Sequence, residues 1–113
     1  MDSILDSVKD KIAGGAIHEH FDGELIDDIN AVLLDLRQFG IGPENGFSIT
    51  GSSETWADFL GENKEMQNSV PTLVALKVRL LFDPPASGAI TETINKQIDR
   101  LEWRLNVNYE IGV

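Results

Sequence analysis

The sequence predicts a mainly α-helical fold: a small bundle of four to five helices with a long Gly/Pro-rich loop or small β-hairpin and an extended C-terminal tail. Three observations carry this. Ile90, Ile94, Ile98, Leu101 and Leu105 recur at spacings of four, four, three and four, the period of one helix face. Ile26, Ile29, Leu33 and Leu36 do the same between an aspartate, Asp22, and a glycine, Gly40. The run Leu73–Phe82 is apolar almost all round the cylinder, interrupted only by Lys77 and Arg79 and closed by Asp83-Pro84-Pro85.

The elements follow in order. Ser3 is a candidate cap with Asp6 three residues on, opening a helix from about Ile4 to Ile12 that Gly14-Gly15 ends. Ala16–Phe21 reads as a connector. Asp22 is a candidate N-cap for the second helix, with Glu24, Asp27 and Asp28 favourably placed near its positive end. Phe21 and Ile26 stand at the positions of a hydrophobic staple, and Gly40 provides the stop. Gly40–Ser53 is loop-like, with Phe47-Ser48-Ile49-Thr50 alternating as half of a small hairpin would. Ser53 is expected to cap a short helix that buries Trp56, Phe59 and Leu60 and ends at Gly61.

For the central helix, Pro71 places the regular start near itself, leaving residues 63–69 as a separate turn or a kinked extension. Pro84 and Pro85 end it at Phe82. The last helix is expected from about Gly88 to Asn106, capped by Ser87, with Glu92 and Lys96 paired on an outer face. Trp103 points away from the isoleucine stripe, either as an interface anchor or under its own C-terminal tail. The tail Val107–Val113 alternates as a strand does.

At 113 residues the chain is expected to be one domain, 1–113, with a helical core of about 3–106 and a tail of 107–113. It has no cysteine, which excludes disulfides and thiolate metal sites. No apolar run approaches a bilayer span and the start lacks a basic signal region, so no membrane association is expected and the protein should stay in the cytosol of the cell that makes it. A net charge of −10 opposes tight nucleic-acid binding, although it would suit a surface that DNA passes without sticking.

No catalytic constellation emerges: nucleophile elbow, P-loop and dinucleotide fingerprint are all missing. His18-Glu19-His20 with Asp22 is the only cluster suggestive of a metal, and a solvated connector is the ordinary reading of it. Neither a cofactor nor a metal is expected. The central helix instead suggests assembly. A short chain has difficulty covering a helix that is apolar all round, so a neighbouring copy is expected to cover Val74, Val78, Leu81 and Phe82. Leu81→Asp is then expected to prevent soluble folding or assembly, by burying an unpaired charge.

A set of ordered segments resembles the head-to-tail connectors (adaptors) of long-tailed bacteriophages. They are M-D-S-I-L-D-S-V-K at the start, H-F-D at His20–Asp22, D-I-N-A-V at Asp28–Val32 and F-G-I-G-P-E-N-G-F-S-I at Phe39–Ile49. T-W-A-D-F-L at Thr55–Leu60, L-K-V-R-L-L-F-D-P-P at Leu76–Pro85 and L-E-W-R-L-N-V at Leu101–Val107 complete the set. The resemblance implies a non-enzymatic virion neck protein that forms a ring on the portal vertex and joins portal to stopper and tail. That ring would extend the DNA channel and match the portal's twelvefold symmetry, while free protein can be monomeric or form rings of other size. Assembly is then expected in the host cytoplasm. By the same resemblance, portal contact falls on Trp103, Val107, Tyr109 and Ile111. The loop Phe47, Ser48, Ile49, Thr50 would face the channel or the next protein. Pro71 departs from the family's uninterrupted helical approach to the central helix. Two rival readings are an acidic DNA mimic inhibiting a host nucleic-acid enzyme, and another neck component such as a stopper. Lys77, Arg79, Lys96, Arg100 and Arg104 break up any acidic stripe, which disfavours the first. Stoppers are β-rich and this chain is not.

Overall fold

The computed structural model describes residues 3–13 and 17–111, with side chains described through Leu105. It contains five α-helices and no named strand among those residues: α1 Ile4–Ala13, α2 Asp22–Arg37, α3 Trp56–Leu60, α4 Lys64–Phe82 and α5 Gly88–Ile111. A mainly helical bundle is what the periodicities predicted. The central element is α4, against which α1, α2, α3 and α5 all pack.

Helix α1 starts where Ser3 Oγ accepts the Asp6 N–H at 3.0 Å. Its first turn is also tied to a distant segment, since Ile4 N–H donates to the Glu54 carbonyl at 2.9 Å and Ser3 forms an isolated antiparallel bridge with Thr55. Helix α2 begins differently from expectation. A 3-10 turn, Glu19–Phe21, leads directly into it, so Asp22 is its first residue rather than its cap. Asp22 instead pairs with Lys9 of α1, an ion pair that pins the two helices. At the other end Gly40 has φ 77°, Ile41 N–H donates to Leu36 O (3.1 Å) and Gly40 N–H to Arg37 O (3.0 Å). These bonds form a Schellman stop, closed by the buried pair Leu36 and Ile41.

The expected hairpin at Phe47–Thr50 is not formed. Its would-be partner strand is replaced by one side chain: Asn30 Oδ1 accepts the Ile49 N–H (2.8 Å) while Asn30 Nδ2 donates to the Ile49 carbonyl (3.1 Å). With both polar groups satisfied, Ile49 is buried without a sheet. Helix α3 is capped by Thr55 rather than Ser53. Thr55 Oγ1 accepts from Asp58 N (3.1 Å) and Asp58 Oδ2 accepts from Thr55 N (3.0 Å), a reciprocal capping box.

Helix α4 also departs from expectation. It starts at Lys64, capped by Asn63 Oδ1 on Met66 N (3.1 Å), and runs through Pro71 without ending. Proline inside a helix removes one N–H and costs about 3 kcal/mol. The opposing gain is burial, because Val70, Pro71, Leu73 and Val74 all lie in the core. Cover for this helix comes from the chain itself, and Val74 and Val78 are both 0% exposed. They therefore close the subunit's own core rather than await a neighbour. Of the four residues expected to await a neighbour, Leu81 and Phe82 reach the surface, with Leu81 56% exposed.

Helix α5 buries Ile94, Ile98 and Leu105 and half-buries Leu101, as its stripe predicted; Ile90, in its first turn, is exposed. It continues to Ile111, five residues beyond the expected end at Asn106, so the extended tail is helical over 107–111. An isolated strand has no ladder to join, whereas each further helical residue adds a hydrogen bond to an existing turn. Residues 112–113 of that tail lie outside the described residues. Among the described residues no helix is long and apolar enough to cross a membrane.

Candidate assembly surfaces

The surface candidates are positioned by the ends of α4 and α5. At the end of α4, Phe82 meets Phe21 edge to face with ring centroids 5.9 Å apart, and Phe21 meets His20 in the same manner at 4.9 Å. The three rings form an aromatic corner, and Leu81 is exposed one residue before Phe82. A concavity beside it is lined by Ile17, His18, Phe21, Glu24, Phe82 and Asp83. His18 is engaged in holding the chain there, since its Nδ1 accepts the His20 N–H at 3.0 Å. Among the described residues no three His, Cys, Asp or Glu side chains converge as a metal site.

Trp103 projects from α5 and is 69% exposed, so it does not lie under its own C-terminal segment. Beside it Glu102 reaches back to Lys77 of α4 at 2.6 Å, and the Lys77 ammonium also lies 6.0 Å from the centre of the Phe39 ring. Val107, Tyr109 and Ile111 occupy the last turns of α5, where side chains lie outside the described residues. The loop candidate divides. Ile49 is buried and Phe47 is half-buried against Phe59, with ring centroids 5.2 Å apart. Ser48 and Thr50 alone are exposed.

Thr50 is further held by Glu54, whose Oε2 accepts from Thr50 N (3.0 Å) and Thr50 Oγ1 (2.9 Å). Desolvation pushes the Glu54 carboxyl up. Donation from the Thr50 hydroxyl and from the Glu54, Thr50 and Gly51 backbone outweighs it and leaves the group below its ordinary value. On α2 the Asp28 carboxyl is raised, first by desolvation and then by repulsion from Glu24 and Asp27. Sequence reasoning saw those acids as helix-start residues; it missed their mutual repulsion.

The arrangement offers exposed aromatic and apolar groups on a finished core. A family described as phage connector protein matches residues 4–112, which takes in α1 through α5. The chain belongs to that family. Neither a curated protein nor a solved structure gives a match. Phage connectors are structural virion components. On this connector, Trp103, Leu81 and the Phe21–Phe82 pair are the large apolar groups that sequence reasoning or geometry brings forward. Val74 and Val78 leave the set of candidate contacts because the connector's own helices enclose them.

Proposed function

We propose that this connector assembles as a ring in the virion neck, seated on the portal and joined on its other side to the stopper or tail-completion protein. The observation that carries this is Trp103, a tryptophan 69% exposed on a subunit whose core is already complete. Large aromatic groups are favoured anchors at protein interfaces. Trp103 with Val107, Tyr109 and Ile111 contacts the portal, and Leu81 with Phe82 contacts a neighbouring copy. Ser48 and Thr50 face the channel or the next protein. Genomic DNA passes through the ring without specific binding, in keeping with a net charge of −10. Assembly takes place in the host cytoplasm.

The test is mass photometry with negative-stain imaging of the purified protein, alone and with its cognate portal ring. A twelvefold collar on the portal is the expected result. Protein that stays monomeric and never joins the portal would overturn the reading and bring the DNA-mimic alternative forward.

A further inference from the structure

The nine cations of this acidic chain are unevenly used. Among the described residues Lys9, Lys77 and Lys96 are ion-paired with Asp22, Glu102 and Glu92. Of the others, Lys11, Arg79, Arg100 and Arg104 line two adjoining grooves that share Thr72 and Leu76. At ~100° per residue, Thr72, Leu76 and Arg79 fall on the side of α4 opposite Val70, Val74 and Val78. This strip of α4 is therefore the floor, banked by the end of α1 on one side and by α5 on the other. Ile12, Ala75 and Leu101 make the floor apolar, and no Asp or Glu lines either groove among the described residues.

A matching surface lies on α2. Its outward face carries Glu24, Asp27, Asp28 and Asp35 along the helix, and Leu34, 60% exposed, lies toward the C-terminal end of that helix, where Arg37 is its one cationic neighbour along α2. None of these four acids is ion-paired among the described residues. The Asp28 carboxyl is raised first by desolvation and then by repulsion from Glu24 and Asp27, and an incoming cation offsets the repulsion.

We infer that the basic groove between α1, α4 and α5 receives the acidic outer face of α2 from a second copy of this chain. Four cations over an apolar floor meet four carboxylates on a helix that also exposes Leu34, so charge and hydrophobicity match together. The two patches share no residue, which makes the contact head-to-tail and repeatable, the kind that closes into rings. Duplex DNA is the weaker occupant, because a chain of net charge −10 repels it at long range and an apolar floor has nothing to offer a phosphate backbone. The inference rests on the ring reading above and adds a subunit contact to that of Leu81 and Phe82.

The test uses two full-length variants, Arg79→Glu/Arg100→Glu/Arg104→Glu and Asp27→Lys/Asp28→Lys, checked for native helicity by circular dichroism. Self-association is read by analytical ultracentrifugation and on the portal ring by negative stain. Each variant alone is expected to assemble at least ~10-fold more weakly than wild type. An equimolar mixture is expected to recover assembly, because each variant's groove then faces a helix of opposite charge. Wild-type rings with both variants assembling normally would overturn this contact and leave the ring reading intact. Wild type that never assembles, alone or on the portal, would overturn both. Normal assembly of the groove variant with loss of duplex-DNA binding in a gel-shift assay would reassign the groove to nucleic acid. Should reversal unfold the chain, Arg79→Gln/Arg100→Gln/Arg104→Gln is measured instead, with weakened assembly expected and unchanged assembly overturning the contact.

Discussion

Gly42 shows how much a single position can be constrained. Its φ is +95°, and a Cβ there would collide with the Phe59 ring. Gly42→Ala should therefore combine left-handed strain with overpacking, a loss of about 2–4 kcal/mol measurable by urea unfolding. Glu54 sets a second test. Its carboxyl lies below the ordinary value when folded, so its contribution is present above the unfolded pKa of about 4.3 and is lost as pH falls through the lower folded value. The urea midpoint of wild type should fall more steeply than that of Glu54→Gln between about pH 6 and about pH 3; parallel curves would show that the Thr50–Glu54 clamp contributes nothing. The sequence marked this region as loop through its Gly, Pro, Asn and Ser content. It could not show that Asn30, 19 positions away, would replace a whole strand, because that bond depends on the two segments already being packed together.

At the scale of the helices, the buried stripes of α2 and α5 were legible because a 3.6-residue period directly encodes one covered face. Helix ends were less so. Asp22 and Ser53 are both good cap types, yet a preceding 3-10 turn displaced the first, and Thr55 with its partner Asp58 displaced the second. The continuation of α4 through Pro71 was hidden for a similar reason: a local penalty was outweighed by tertiary burial. The same error of scale affected the prediction for Leu81. Val74 and Leu81 look alike in sequence, but the first is 0% and the second 56% exposed. Leu81→Asp should therefore keep its fold, with a change within about 0.5 kcal/mol, and lose assembly instead. Val74→Asp buries an unpaired charge and should abolish the cooperative thermal transition followed by circular dichroism.

For the molecule as a whole, the expectation that a neighbour must complete the core gave way to a subunit that completes its own. Assembly is then a matter of surface groups, and folding and docking should be separable. Trp103→Ala should leave the melting temperature within about 2 °C of wild type, while weakening portal binding by about 2 kcal/mol in a titration of portal rings. A large fall in melting temperature of the isolated subunit would instead place Trp103 among the core residues. The ordered segments in sequence pointed to the connector family, but the surfaces such a protein would use were only partly legible. A net charge of −10 conceals where four of the cations collect, since Lys11, Arg79 and Arg100 lie far apart in the chain and come to adjoining grooves only once α1 and α5 flank α4.

The two tryptophans also provide an optical instrument. Trp56 is 6% exposed and Trp103 is 69% exposed, so the chain carries one indole in a dry environment and one in water. Emission from the first should shift to longer wavelength only when the chain unfolds. The second should be quenched by acrylamide in the free subunit and shielded once a partner covers it. Folding and capture by a partner can thus be followed in one cuvette, without attaching a dye.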